Sequence, residues 1–138
     1  MNPILRNVLA VVAGLVVGNV VNGFLISISG SVIPLPEGVD PNDMESLKAA
    51  MPTFPTKNFI MPFAAHALGT FTGALVTVLL AASHQMKFAL GIGGFFLLGG
   101  IMINYMLPGP TWFSVVDVTL AYIPMALIAW KLAGKRGG

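Results

Sequence analysis

Residues 59–107 read FIMPFAAHALGTFTGALVTVLLAASHQMKFALGIGGFFLLGGIMINYML, and Lys87 is the single formal charge among them. Two apolar runs, 59–82 and 88–107, are separated only by the polar stretch 83–87. Each run is long enough to cross a bilayer, which takes about 20 apolar residues. So short a connection makes the two helices antiparallel neighbours. This hairpin decides the fold class, and the flanking sequence extends it.

Upstream lies a further apolar run, 5–33, which stops at Pro34 and Pro36. It is somewhat longer than a bilayer requires and is expected to tilt or to extend beyond the hydrocarbon. Arg6 ahead of an apolar stretch resembles a secretory leader, but the run is too long and lacks an Ala-x-Ala-like cleavage site, so it reads as a retained span. Segment 34–58 then carries Glu37, Asp40, Asp43, Glu45, Lys48 and Lys57 among prolines, a composition suited to water or the interface. Within it Asp40 and Pro41 read as the N-cap and first position of a short helix, with Asp43 near the positive helix end. Met44, Leu47 and Met51 share a face that is expected to dip into the membrane surface.

Downstream, Leu107-Pro108-Gly109-Pro110 turns the chain back into a fourth apolar run, 112–130. From Trp112 to Trp130 the rise is about 27 Å at 1.5 Å per residue, close to the ~30 Å hydrocarbon thickness, which places the indoles in opposite aromatic belts. Pro124 removes one backbone hydrogen bond and is expected to kink this span, leaving the Leu120 carbonyl in need of a partner. The sequence therefore predicts one all-α domain over 1–138: an antiparallel four-helix membrane bundle with spans 5–33, 59–82, 88–107 and 112–130. The loop 34–58 carries the short interfacial helix.

Composition agrees. Hydrophobic residues make up 56% of the chain and charged ones 9%, against about 25% charged in soluble domains. The formal charge of +2 comes from Lys and Arg scattered at the ends of apolar runs, which argues against a nucleic-acid partner. With no cysteine, disulfides, thiolate catalysis, Fe–S clusters and cysteine-ligated zinc are excluded. Arg6, Lys87, Lys131, Lys135 and Arg136 fall at one side of the spans and only Lys48 and Lys57 at the other. The positive-inside rule then predicts both termini in the cytoplasm and loop 34–58 outside. The bias argues against dual topology, and no internal repeat is evident.

In lipid, helices associate through close backbone approach and interhelical hydrogen bonds, so small and polar residues are the informative ones. Gly14, Gly18 and Asn22 are spaced by four on the first span; Ala65, Gly69 and Gly73 form a ridge on the second; Gly93, Gly100 and Asn104 mark the third. Gly14, Gly18, Gly69, Gly73, Gly93 and Gly100 are read as helix-packing positions. Counted inward from the outer ends, His66, Asp117, Asn104 and Asn22 fall in the outer half of the membrane, with Asn19 beside them. An Asp at the centre of a span costs about 2.5–3.5 kcal/mol on insertion scales and normally finds a partner inside the bundle. His66 is the obvious one. Such a cluster can relay a proton, bind a cation or line a polar cavity. The plainer reading is a satisfied cluster that fixes helix register.

No metal or cofactor is expected. A haem ligand would need a second histidine, and His84 lies at the opposite end; two separated histidines cannot assemble a zinc site. His84 with Gln85 reads as a polar turn. Gly-x-Ser-x-Gly, phosphate-cradling and His-Glu-x-x-His motifs are all missing from the sequence.

The pattern Pro34, Pro36, Gly38, Asp40, followed by Pro110, Trp112 and Phe113 after the third span, resembles small four-span bacterial inner-membrane proteins of uncharacterised activity. The resemblance implies a plasma-membrane location and transfers no activity. Fluoride channels share the size but depend on dual topology and an arginine-containing segment not evident here. Small multidrug exporters need an acidic residue in the first span, where this chain has Asn19 and Asn22. The sequence thus points to a non-enzymatic membrane protein, an accessory subunit of a larger membrane complex or a homo-oligomer joined by glycine-rich faces. The alternative is an oligomeric channel or transporter built on His66, Asp117, Asn22 and Asn104. A transporter requires the cluster to line a cavity continuing past Asn19; a subunit requires a closed cluster and an outward glycine face.

Overall fold

The computed structural model describes residues 1–134, so Lys135 and Arg136 of the charge count lie outside the described residues. The described chain is helical, with no strand: α1 (Pro3–Val32), α2 (Met44–Ala50), α3 (Ile60–Leu80), α4 (Gln85–Met106), α5 (Thr111–Leu120) and α6 (Ile123–Ala133), with short 3-10 turns before α3. Four helical segments, Pro3–Val32, Thr56–Leu80, Gln85–Met106 and Thr111–Ala133, are long and apolar enough to cross a membrane.

The helix ends follow from local chemistry. Asn2 caps α1 by accepting from the Ile4 amide at 2.8 Å, with Pro3 in the first turn, where its missing N–H costs nothing. α1 gives way to extended backbone at Ile33, ahead of Pro34, as the residue before a proline resists helical geometry. α2 starts at Met44 and its cap is Asp43, which accepts from the Glu45 amide at 3.1 Å. This corrects the expected cap at Asp40. The Asp40 carboxylate is occupied two residues on, accepting from the Asn42 amide at 2.9 Å, an Asx turn that competes with helix initiation.

α3 is the centre of the architecture, packing along α1 on one side and against α4 and α6 on the other. The α1–α3 contact is antiparallel and close: Gly14 meets Gly73, and a Cβ added at Gly18 would lie 2.8 Å from the Gly69 carbonyl oxygen. Glycine on both helices lets two backbones touch, which is how helices associate in lipid. Thr77 Oγ1 donates across this seam to the Ala10 carbonyl at 3.0 Å, and Arg6 Nε donates to the Leu80 carbonyl at 2.7 Å. The α3–α4 turn is fastened by Gln85, whose amide donates to the Val78 carbonyl at 3.0 Å. Ala74, Val78, Ala89, Ile92, Ala126 and Ala129 form the packed core at this end.

The fourth apolar run is broken, not merely kinked. α5 ends at Leu120, Tyr122 adopts φ −118° and ψ −80°, and α6 restarts with Pro124 in its first turn. A proline tolerated only in a first turn makes a restart cheaper than a bent, unbonded helix. Trp130, at the far end of the same run, packs against the core, and its indole nitrogen is buried without a hydrogen-bond partner among the described residues. Trp112 is exposed, as a belt residue would be.

α1 leans on α3 and barely reaches α4. Their meeting point is Phe96, whose ring packs on Gly18. Beyond this contact, toward α2, the two helices leave a gap.

Candidate functional site: a carboxylate network on the wall of a cavity

Asp117, on the last turns of α5, is fully buried and receives three donors. Nδ1 of His66 on α3 lies 2.8 Å from Oδ1; Asn104 Nδ2 on α4 and the Tyr122 hydroxyl donate to Oδ2 at 3.0 and 3.1 Å. Three donors on two oxygens suit a carboxylate, which only accepts. Hydrogen bonds to a charged group contribute about 1.5–3 kcal/mol each. Together they exceed the ~2.5–3.5 kcal/mol insertion cost of a central Asp. The network therefore offsets the cost of holding Asp117 inside the fold.

Each donor is itself positioned. Asn104 Nδ2 also donates to the Gly100 carbonyl at 2.8 Å, and its oxygen accepts from Ser114 Oγ at 3.2 Å. The helix break turns Tyr122 so that its hydroxyl reaches back five residues to Asp117. Its ring fits against Gly100, where a Cβ would collide with it. The His66 ring stacks over Tyr122 with centroids 5.9 Å apart and planes inclined by 27°. In the neutral tautomer that donates from Nδ1 to Asp117, Nε2 is an acceptor, and among the described residues no protein group bonds it. The His66 side chain is 15% exposed.

That exposure opens into a cavity of about 960 Å³ between α1 and α4, backed by α3 and covered by α2 and the segment before α3. The volume is in the upper range of small-molecule sites. His66, Tyr122 and Asn104 give it a polar wall; Asn22 and Asn19 face them from α1. Phe95 and Phe96 lie at its inner end, while Leu47, Met51 and Phe54 belong to its cover. Among the described residues, the lining contains no Lys, Arg, Asp or Glu. A second cavity of about 510 Å³, near Asn7 and His84 at the other end of α1, shares no lining residue with it. The packed core and the Phe96–Gly18 contact separate the two. At the covered end, Phe59 packs on Phe113 at 4.6 Å and Trp112 at 5.6 Å, and Asn58 ties the loop by donating to the Pro34 carbonyl at 3.0 Å.

Of the polar residues singled out from sequence, the fold brings His66, Asp117 and Asn104 into direct contact. Asn22 stands apart on the opposite wall, its Oδ1 buried without a partner. Asn19 is exposed and its amide donates within its own helix to the Leu15 carbonyl at 2.8 Å. Gly14, Gly18, Gly69, Gly73, Gly93 and Gly100 are all buried against other helices of the chain, so these glycine faces turn inward. Tyr122 and Ser114 were not legible as members. The one available signal was Pro124, which fixes the break that reorients Tyr122. Among the described residues, no group of three or more His, Cys, Asp or Glu gathers as a metal site. No family model, curated protein or solved structure matches the chain.

Proposed function

We propose that this chain is a non-enzymatic multi-pass membrane protein that binds a small amphiphile from the bilayer in the cavity between α1 and α4. The single observation behind this reading is the cavity itself: a large apolar space with one ordered polar wall, formed by apolar helices. Its inner end is closed by Phe96 and the alanine-rich core, which favours a binding site over a conduction path through one copy. On this reading both termini are cytoplasmic and the cavity lies in the outer half of a bacterial plasma membrane, an orientation that the lysine and arginine count supports. The gap between α1 and α4 then faces lipid, and an amphiphile reaches the site sideways.

Gly99 supplies the test. It lines the cavity and a Cβ there meets nothing within 4 Å, so Gly99→Trp fills the space without pressing on the backbone. Gentle detergent extraction followed by native mass measurement is expected to find one retained lipid-sized ligand on the wild type and none on Gly99→Trp. Bare wild-type protein, or the same adducts on both, overturns the reading.

A second reading, an accessory subunit or homo-oligomer, draws on Gly91 and Gly94 of α4, whose faces meet nothing in the chain. Stoichiometric recovery with larger membrane proteins in the same extraction favours it.

A further inference from the structure

We infer that the ligand of this cavity is an uncharged lipid whose head carries a hydroxyl, and that Nε2 of His66 accepts its hydrogen. The inference rests on the binding reading above and narrows it to a class of ligand. Charge comes first. No cationic side chain lines the cavity, and a phosphate or carboxylate head is ordinarily held by Arg, Lys or a row of amides. Nor does a carboxylate face it, because Asp117 is fully buried behind His66, Asn104 and Tyr122 and is not part of the lining. An ion of either sign would lose its water here without replacement. A neutral head loses far less.

Hydrogen-bonding capacity then selects among neutral heads. The His66 ring lines the cavity with Nδ1 bound to Asp117, and in the neutral tautomer its other nitrogen is an acceptor that the described residues leave open. Asn22, on the opposite wall, has a buried amide oxygen with no partner. Buried polar atoms are nearly always satisfied, and an amide takes a hydroxyl in either orientation. A hydroxyl has the hydrogen that either acceptor needs and, with the Asn22 amide turned, can also accept from it; an ester or ether cannot donate to Nε2. The apolar part of the lining, including Ile26, Phe95, Leu98 and Met102, is suited to a hydrocarbon tail. A diacylglycerol and an isoprenoid quinol are two membrane sources with this chemistry.

The full chain, reconstituted in phosphatidylcholine nanodiscs, is challenged at equal mole fraction with four probes: dioleoylglycerol, its 3-O-methyl ether, dioleoyl phosphatidic acid, and a decyl benzoquinol. Retained adducts are counted by native mass spectrometry. Retention of dioleoylglycerol or the quinol, at about tenfold over the ether and the acid, is the expected result. Asn22→Leu leaves the Asp117 network untouched and is expected to lower that preference, as is His66→Leu where it folds. Equal retention of all four, preference for the acid, or a preference insensitive to Asn22→Leu overturns the inference. Binding of some other lipid in a Gly99-sensitive manner would leave the cavity reading standing, whereas no adduct at all would remove both.

Discussion

Nδ1 of His66 and Oδ1 of Asp117 lie 2.8 Å apart across 51 residues of sequence, and this contact joins α3 to α5 where the fourth apolar run is about to break. Asp117 is the most deeply committed polar side chain of the fold. Asp117→Ala leaves His66, Asn104 and Tyr122 without their common acceptor, and a loss of about 2–5 kcal/mol is expected from stranding buried donors, each of which costs about 1–3 kcal/mol. Thermal unfolding in a fixed detergent measures it.

Tyr122→Phe removes one donor while keeping the ring that fills the space beside Gly100. The expected cost is smaller, about 1–2 kcal/mol, because Asp117 keeps two donors. The same melting experiment ranks the two variants, and an equal loss in both would contradict the division of roles.

The glycines differ in what surrounds them. At Gly73 an added Cβ would lie 2.7 Å from the Gly14 carbonyl oxygen, whereas at Gly91 it meets nothing within 4 Å. Gly73→Ala is expected to push α1 from α3 at a cost of about 1–3 kcal/mol. Gly91→Ala should leave stability unchanged or slightly raised.

Orientation is open to a direct check, since the chain has no cysteine. With a membrane-impermeant maleimide on intact cells, Lys48→Cys is expected to label, and Ser83→Cys only after the cells are opened. The reverse pattern would invert the cavity to the cytoplasmic half.

Much of the fold was legible because bilayer-length apolar runs and proline stops dictate helices almost residue by residue: the observed Pro3–Val32 and Gln85–Met106 lie within a few residues of 5–33 and 88–107. The α2 start was misplaced because Asp40 and Asp43 are both competent caps, and the Asx turn that decides between them is a three-dimensional contact. His66, Asp117 and Asn104 were legible as buried polar residues at similar depth. Tyr122 was not, because its reach depends on φ and ψ at a break that Pro124 only hints at. The cavity was invisible as well. It exists because α1 leans on α3 and touches α4 sparsely, as at Phe96, a matter of helix placement that apolar periodicity does not encode.

The central claim is that the cavity between α1 and α4 holds a selected lipid and is not a stretch of ordinary lipid-facing surface. A photoreactive benzoylphenylalanine at Ile103, which lines the cavity, and another at Tyr105, which is 86% exposed on the same helix, sample the two environments in native membranes. The account predicts one neutral, hydroxyl-bearing lipid class attached at position 103 and the bulk lipid mixture at position 105. The same mixture at both positions would contradict it.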